Sequence, residues 1–358
     1  MHTGLSKMTY PVSLNEEPVG GRRLALPAPR GPLTEWLFNA LSVSPDREIA
    51  PPDLLESEDP LADDDFQLAL YCCYELHYAA VVGADPRWEW SPSLLKFRAV
   101  LEDGMERALA NIVPFSTQED VANVGEALQR IVRHDTGPPI SRHLETQGTL
   151  DQMLEHVVHR SAYQLKEADP HSWAIPRLTG APKAALLEIQ IDEYGGGHVE
   201  QMHAVLFART MEGLGLDAAY GAYVDLLPGI TLATVNLVSL CGLHRRLRGM
   251  LVGHLAAFEM TSAVPNRRYG NALRRLGYGA PVTDFYDEHV EADAIHESIA
   301  AWDLAAGLAV AEPDVAPDIL FGARALMALE ARWANHLLTA WDKETTSLTA
   351  PLGRNASQ

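Results

Sequence analysis

His289-Val290-Glu291-Ala292-Asp293-Ala294-Ile295-His296 is the stretch on which the reading of this chain turns. At about 100° per residue along an α-helix, His289, Asp293 and His296 project at roughly 0°, 40° and −20°, inside about one 60° sector. Two imidazoles and a carboxylate converging from one helix face are what a nitrogen/oxygen metal site requires. Glu291 points to the far side, and Glu288 and Glu297 flank the sector, so these acids keep the outer surface wet. A solvated helix face with two incidental histidines is the competing reading. The octapeptide alone leaves both open.

Outward from it, the apolar period is helical. Leu33, Trp36, Leu37 and Leu41 recur at i, i+3, i+4 and i+8. Further helical blocks are expected over 66–82, 93–112, 118–134, 148–168, 181–193, 198–214, 217–225, 231–262, 266–276, 281–306 and 315–345. Gly137-Pro138, Pro228-Gly229 and the pair Gly277/Gly279 fall between blocks, where chain breakers belong. No segment alternates β-branched residues between turns. The expected fold class is all-α: a mobile leader (1–32), an N-terminal helical region (33–114), a helical bundle (115–345) and a tail (346–358). Pro114 and Ser116 mark the internal boundary.

Composition narrows the function classes. Of 358 residues, 47% are hydrophobic and 21% charged, which is ordinary for a globular chain. The net charge of −20 argues against a nucleic-acid surface, which needs clustered Lys and Arg. Cys72 and Cys73 are adjacent and Cys241 stands alone, so neither a disulfide framework nor a thiolate zinc site is on offer, and a reducing compartment is expected. No apolar run reaches the roughly 18 residues of a membrane span, and 1–29 lack the apolar core of a signal peptide. The expectation is a soluble cytoplasmic protein without a membrane partner.

Other segments bear on the metal reading. In Glu193-Tyr194-Gly195-Gly196-Gly197-His198-Val199-Glu200-Gln201-Met202-His203, three glycines cost a helix about 1 kcal/mol each relative to alanine and should mark a break or a close approach. Glu200 and His203 match the Glu-x-x-His pair of di-iron carboxylate bundles, but a ferritin-type site needs two such pairs and only this one occurs. Glu259 interrupts a stretch that is otherwise apolar but for His254. Such a carboxylate must be paired, metal-bound or protonated, with Arg267 or Arg268 as the alternative partners. Near the helix end broken by Pro170, Glu167 or Asp169 could turn inward or stay on the surface. His156 and His159 read as part of a polar helix face. HExxH, GxSxG, P-loop and GxGxxG patterns are absent. Six or seven hard and intermediate ligands suit iron or manganese better than tetrahedral zinc.

Taken in order, these segments resemble the heme-oxygenase-like di-iron oxidases and oxygenases, closest to the bacterial branch of iron-containing redox enzymes. The resemblance runs over roughly 115–345. It rests on 165–178, on 188–207 with its Glu-Tyr-Gly and downstream His, on Phe258-Glu259-Met260-Thr261, and on the His289/Asp293/His296 series. It implies a seven-helix heme-oxygenase-like bundle whose metal ligands here would be Glu167, His203, Glu259, His289, Asp293 and His296. Glu193, just before Tyr194-Gly195, would be an additional ligand and the catalytic carboxylate. It further implies two Fe(II) per chain, O2 as co-substrate, and oxidation of a small organic molecule, for example by N-oxygenation, oxidative decarboxylation or carbon–carbon cleavage. Four carboxylates nearly cancel the +4 of two ferrous ions, whereas crowding a heme with Asp293 and Glu259 would leave buried charge uncompensated.

Lys166, Arg267 and Arg268 could hold a substrate carboxylate or pair with surplus acids. Trp88, Trp90 and the Leu-rich N-terminal helices are expected to pack on the core or to form a homodimer interface. The competing class is a non-catalytic helical protein that binds a small molecule or partner.

Overall fold

Polar caps start several of the helices. In this computed structural model, which describes residues 22–46 and 57–353 except the side chains of 293 and 294, Asp63 accepts from the Phe66 amide at 2.9 Å and opens α2 (Asp64–Glu75) after α1 (Pro32–Leu41). There follow α3 (Pro92–Ile112), α4 (Gln118–Ala122), α5 (Val124–Arg133), α6 (Ile140–Thr146) and α7 (Leu150–Gln164). Thr149 and Gln152 close a reciprocal capping box on α7. Then come α8 (Asp169–Ser172), α9 (Gly180–Glu193), α10 (His203–Gly213), α11 (Gly229–Leu243) and α12 (Arg248–Arg275). The chain ends through α13 (Asp284–Ser298), a π-helical stretch over Ile299–Ala306, α14 (Gly307–Ala311) and α15 (Ala316–Asp342). Apart from β1 (Arg23–Leu24) paired in parallel with β2 (Ala80–Val81), no strand occurs among the described residues. The fold is all-α.

α11 sits at the centre because it has no polar face: every residue from Gly229 to Gly242 is buried. It packs on α2, while the long α12 packs on α15, α13 and α6. The α12–α15 crossing is close because glycines face backbone. A Cβ on Gly253 would lie 1.8 Å from the Ile319 carbonyl oxygen, and one on Gly322 would lie 2.1 Å from that of Met250. Leu37, Tyr74 and Leu101, from the expected N-terminal region, share one apolar core with Leu237, Leu255 and Leu326.

Several boundaries differ from expectation. The block expected at 231–262 breaks at His244, and the gap expected before 266 is absent. There α12 runs through Pro265, in a stretch (residues 261–265) partly open to water, where losing one amide donor costs least. Thr261 and Ser262 also turn their hydroxyls back onto the carbonyls of Ala257 and Glu259. The helix expected at 217–225 is instead a set of turns: Asp217 accepts from the Ala219 amide at 2.8 Å, and Gly221 has φ +77°. The described part of the expected leader lies on the bundle. Arg22 pairs with Asp169, and Arg30 donates to the carbonyls of Leu227 and Val224 at 2.7 Å each. Residues 1–21 of the leader and 354–358 of the tail fall outside the described residues.

Candidate metal centre

The run of glycines is what turns one helix end back onto the next. α9 ends at Glu193, and Gly195, Gly196 and Gly197 follow with φ of +62°, +59° and +85°, a region other residues rarely enter. Gly195 also passes so close to the chain that a Cβ would meet the Met202 amide nitrogen at 2.6 Å. The reversal delivers His203 as the first residue of α10, with its Nδ1 3.1 Å from Oε2 of Glu193.

Glu167 lies just beyond α7, in the turn that leads to α8. That turn is pinned from three sides. Lys166 is fully buried in an ion pair with Glu75 of α2, whose other oxygen accepts from the Tyr220 hydroxyl at 2.6 Å. The Gln190 amide donates to the Ala168 carbonyl at 3.1 Å. Gln164, with its amide nitrogen turned inward, donates to both oxygens of Glu167 at 2.7 and 3.1 Å. α12 contributes Glu259. α13 contributes His289, whose Nδ1 donates to the Phe285 carbonyl at 2.8 Å, and His296.

These six residues meet in the interior, none more than 7% exposed. One ligand atom each from Glu167, Glu193, His203 and His289 falls within 4.8 Å of the others, and the same holds for Glu193, Glu259 and His296. Glu193 belongs to both groups. His289 Nε2 is 3.5 Å from Glu167, His296 Nδ1 is 3.4 Å from Glu259, and the rings of His203 and His289 lie 4.3 Å apart. The side chain of Asp293 is outside the described residues.

Electrostatics follow from this crowding. Burial would raise the Glu193 carboxyl, but the facing imidazole of His203, then His289 and His296, hold it down at about 2. Glu167 is shifted the other way: burial dominates, and its carboxyl stays above the usual range despite His289. Burial would lower the imidazole of His296, yet Glu259 and then Asp192 lift it to about 9. Glu193 Oε2, His203 Nδ1 and His296 Nδ1 are buried but make no directed hydrogen bond. Carboxylates and imidazoles left this way suit a hard or intermediate divalent cation, so the donor set fits iron.

Other residues weighed from the sequence lie elsewhere. Glu200 is exposed, so the Glu-x-x-His pair does not form; the three-glycine turn points Glu193 inward instead. Glu259 lies 3.4 Å from His296, while Arg268 reaches Ser141 at 3.3 Å and Glu145 at 3.8 Å. Lys166 is committed to Glu75, and Asp169 accepts from Tyr194 at 2.7 Å. His156 and His159 are buried rather than on a polar face. His156 stacks on Tyr269 with ring centres 4.4 Å apart, and His159 bridges Thr231 and Ser347.

A cavity of about 500 Å³ lies beside the cluster, walled by Phe207, Phe258, Tyr269, Phe285 and Trp333. Gln164 lines it and also holds Glu167, so one amide joins cavity and cluster. Asp192, Glu75 and Gln164 are the site neighbours the sequence did not single out. Each is an ordinary helix polar residue there, and nothing in its spacing marks which way it turns.

Three buried glutamates and three buried histidines in two overlapping groups are the donor set of a carboxylate–histidine metal site. More particularly, residues 154–331 match the family of iron-containing redox enzymes, and that stretch contains all six clustered side chains. Over 159 residues it is 28% identical to the nitrosourea synthase of Streptomyces achromogenes subsp. streptozoticus, covering 44% of this chain and 34% of that protein. The chain thus spans about a third of the relative it matches. No helix among the described residues is long and apolar enough to cross a membrane.

Proposed function

We propose that the chain is an O2-dependent non-heme di-iron oxidase or oxygenase acting on a small organic molecule. The observation that carries this is the pair of groups sharing Glu193. Glu167, His203 and His289 would hold one metal and Glu259 and His296 the other, with Glu193 between them; Asp293 joins the set by its place in the His289 series. Two Fe(II) ions held there would supply the electrons that reduce O2. The chain's own groups do the rest. Gln164 orients Glu167, the Phe285 carbonyl takes the Nδ1–H of His289 and leaves Nε2 as donor, and the Glu193 carboxylate stays ionised at neutral pH. The aromatic side chains on the walls of the neighbouring cavity offer apolar surface to a substrate. Likeness to a nitrosourea synthase favours oxidation at nitrogen over the other reactions of the family.

Anaerobic titration with Fe(II), metal analysis, then O2 admission tests the reading. Two irons per chain and rapid O2 uptake are expected. A chain that takes up no iron, or binds iron and leaves O2 untouched, overturns it.

A further inference from the structure

His296 is held from both sides. Its Nδ1 faces inward, 3.4 Å from Glu259, while its Nε2 lies 3.0 Å from Oδ2 of Asp192. The imidazole is almost completely buried, but the Asp192 side chain is 57% exposed. Asp192 and Glu193 are consecutive on α9, about 100° apart around the helix, so the last turn sends one acid inward and the next outward. An imidazole that ligates through one nitrogen commonly gives its other N–H to a carboxylate, which fixes the tautomer and makes the ligating nitrogen a better donor.

Resting on the reading of the cluster as a di-metal centre, we propose that Asp192 is the positioning residue of its Glu259/His296 half. It accepts the Nε2–H of His296 from the solvent side and leaves the Nδ1 lone pair for the metal. In the other half, the Nδ1–H of His289 goes to the neutral carbonyl of Phe285. The imidazoles of His296 and His289 therefore differ in how they are backed: one by a solvent-facing anion, one by a backbone dipole.

Anaerobic Co(II) titration of the full chain, followed by d–d absorption, tests this with Asp192→Ala, Asp192→Asn and Asp192→Glu. The wild type should bind two Co(II). Asp192→Ala should leave one position unchanged and weaken the other by about 10- to 100-fold. Asp192→Asn, which keeps an accepting oxygen but no charge, should fall between, and Asp192→Glu should recover most of the loss. The melting curves of metal-free Asp192→Asn and Asp192→Glu should match the wild type, because both keep an acceptor for the His296 Nε2–H. Equal affinities in Asp192→Ala and wild type, or equal weakening at both positions, overturn the inference while leaving the di-metal reading intact. A wild type that binds no Co(II) or Fe(II) removes both.

Discussion

Two buried acids, Glu75 and Glu193, show the chain handling interior charge in opposite ways. Glu75 is neutralised by the protein itself: Lys166 forms its ion pair and Tyr220 donates to its second oxygen, while the Lys166 ammonium lies 4.2 Å from the centre of the Tyr78 ring. Glu193 instead faces imidazoles, His203 of α10 and then His289 and His296 of α13. The first arrangement is complete without any ligand. The second leaves buried polar atoms without hydrogen bonds, which a fold does at a cost unless something else completes them. The two are linked, because Lys166 is adjacent to Glu167. The complete pair anchors the turn from which the incomplete cluster takes one of its acids.

Removing one member of the complete pair should have the largest effect. Glu75→Ala leaves the Lys166 ammonium buried and alone, and should cost about 3–5 kcal/mol in denaturant unfolding. A double replacement, Glu75→Leu with Lys166→Met, should recover most of it; equal losses in single and double variants would show that the pair is not the cause. Gly322→Ala comes next, at about 3 kcal/mol, because the added methyl meets the Met250 backbone, which no side-chain rotation relieves. A melting temperature within a degree of the parent would mean the helices separate freely.

At the incomplete cluster the direction reverses. Saturating Fe(II) at 100 times its dissociation constant should stabilise the chain by about 2.7 kcal/mol, read as a rise in melting temperature under anaerobic conditions. An unchanged melt would count against a built-in site. Acid should act through the buried neutral histidines. Burial lowers His156, His159 and His254 well below the usual range and His171 to about 4. Their contribution is whole above the unfolded value of about 6.5 and is lost as pH falls from there toward the folded values, at up to about 1.4 kcal/mol per unit per group. A melting temperature independent of pH between 7 and 5 contradicts this. The smallest effect is expected for Glu167→Gln without metal. Burial already disfavours that carboxylate's charge, so the variant should melt no lower than the parent, in contrast to Glu75→Ala.

Much of this was legible in residue order. The i, i+3, i+4 period shows an all-helical chain, and the glycine run announces a break between Glu193 and His203. Helix ends were less legible, since local signals were overridden by packing. Pro265 sits inside α12 because the helix is clamped along α15, α13 and α6, and the 217–225 stretch is apolar enough for a helix yet is folded into turns by Asp217 and Gly221. Among the site residues, the histidines of α13 and the isolated Glu259 stood out against their neighbours. Glu75, Gln164 and Asp192 did not, because a polar residue on a helix looks the same in sequence whether it meets water or a buried partner.

The amino-acid order alone determined which chemistry was available: helix-forming segments, a few acids and imidazoles inside apolar surroundings, and no cysteine or glycine-loop pattern for another cofactor. Only the tertiary structure decided that Glu193 rather than Glu200, and Glu167 rather than Asp169, turn into the interior, and that Lys166 is consumed by a glutamate from α2. The reason is physical. Whether a carboxylate is hydrated or desolvated depends on which helices close over it, and that is a property of packing between segments far apart in the chain.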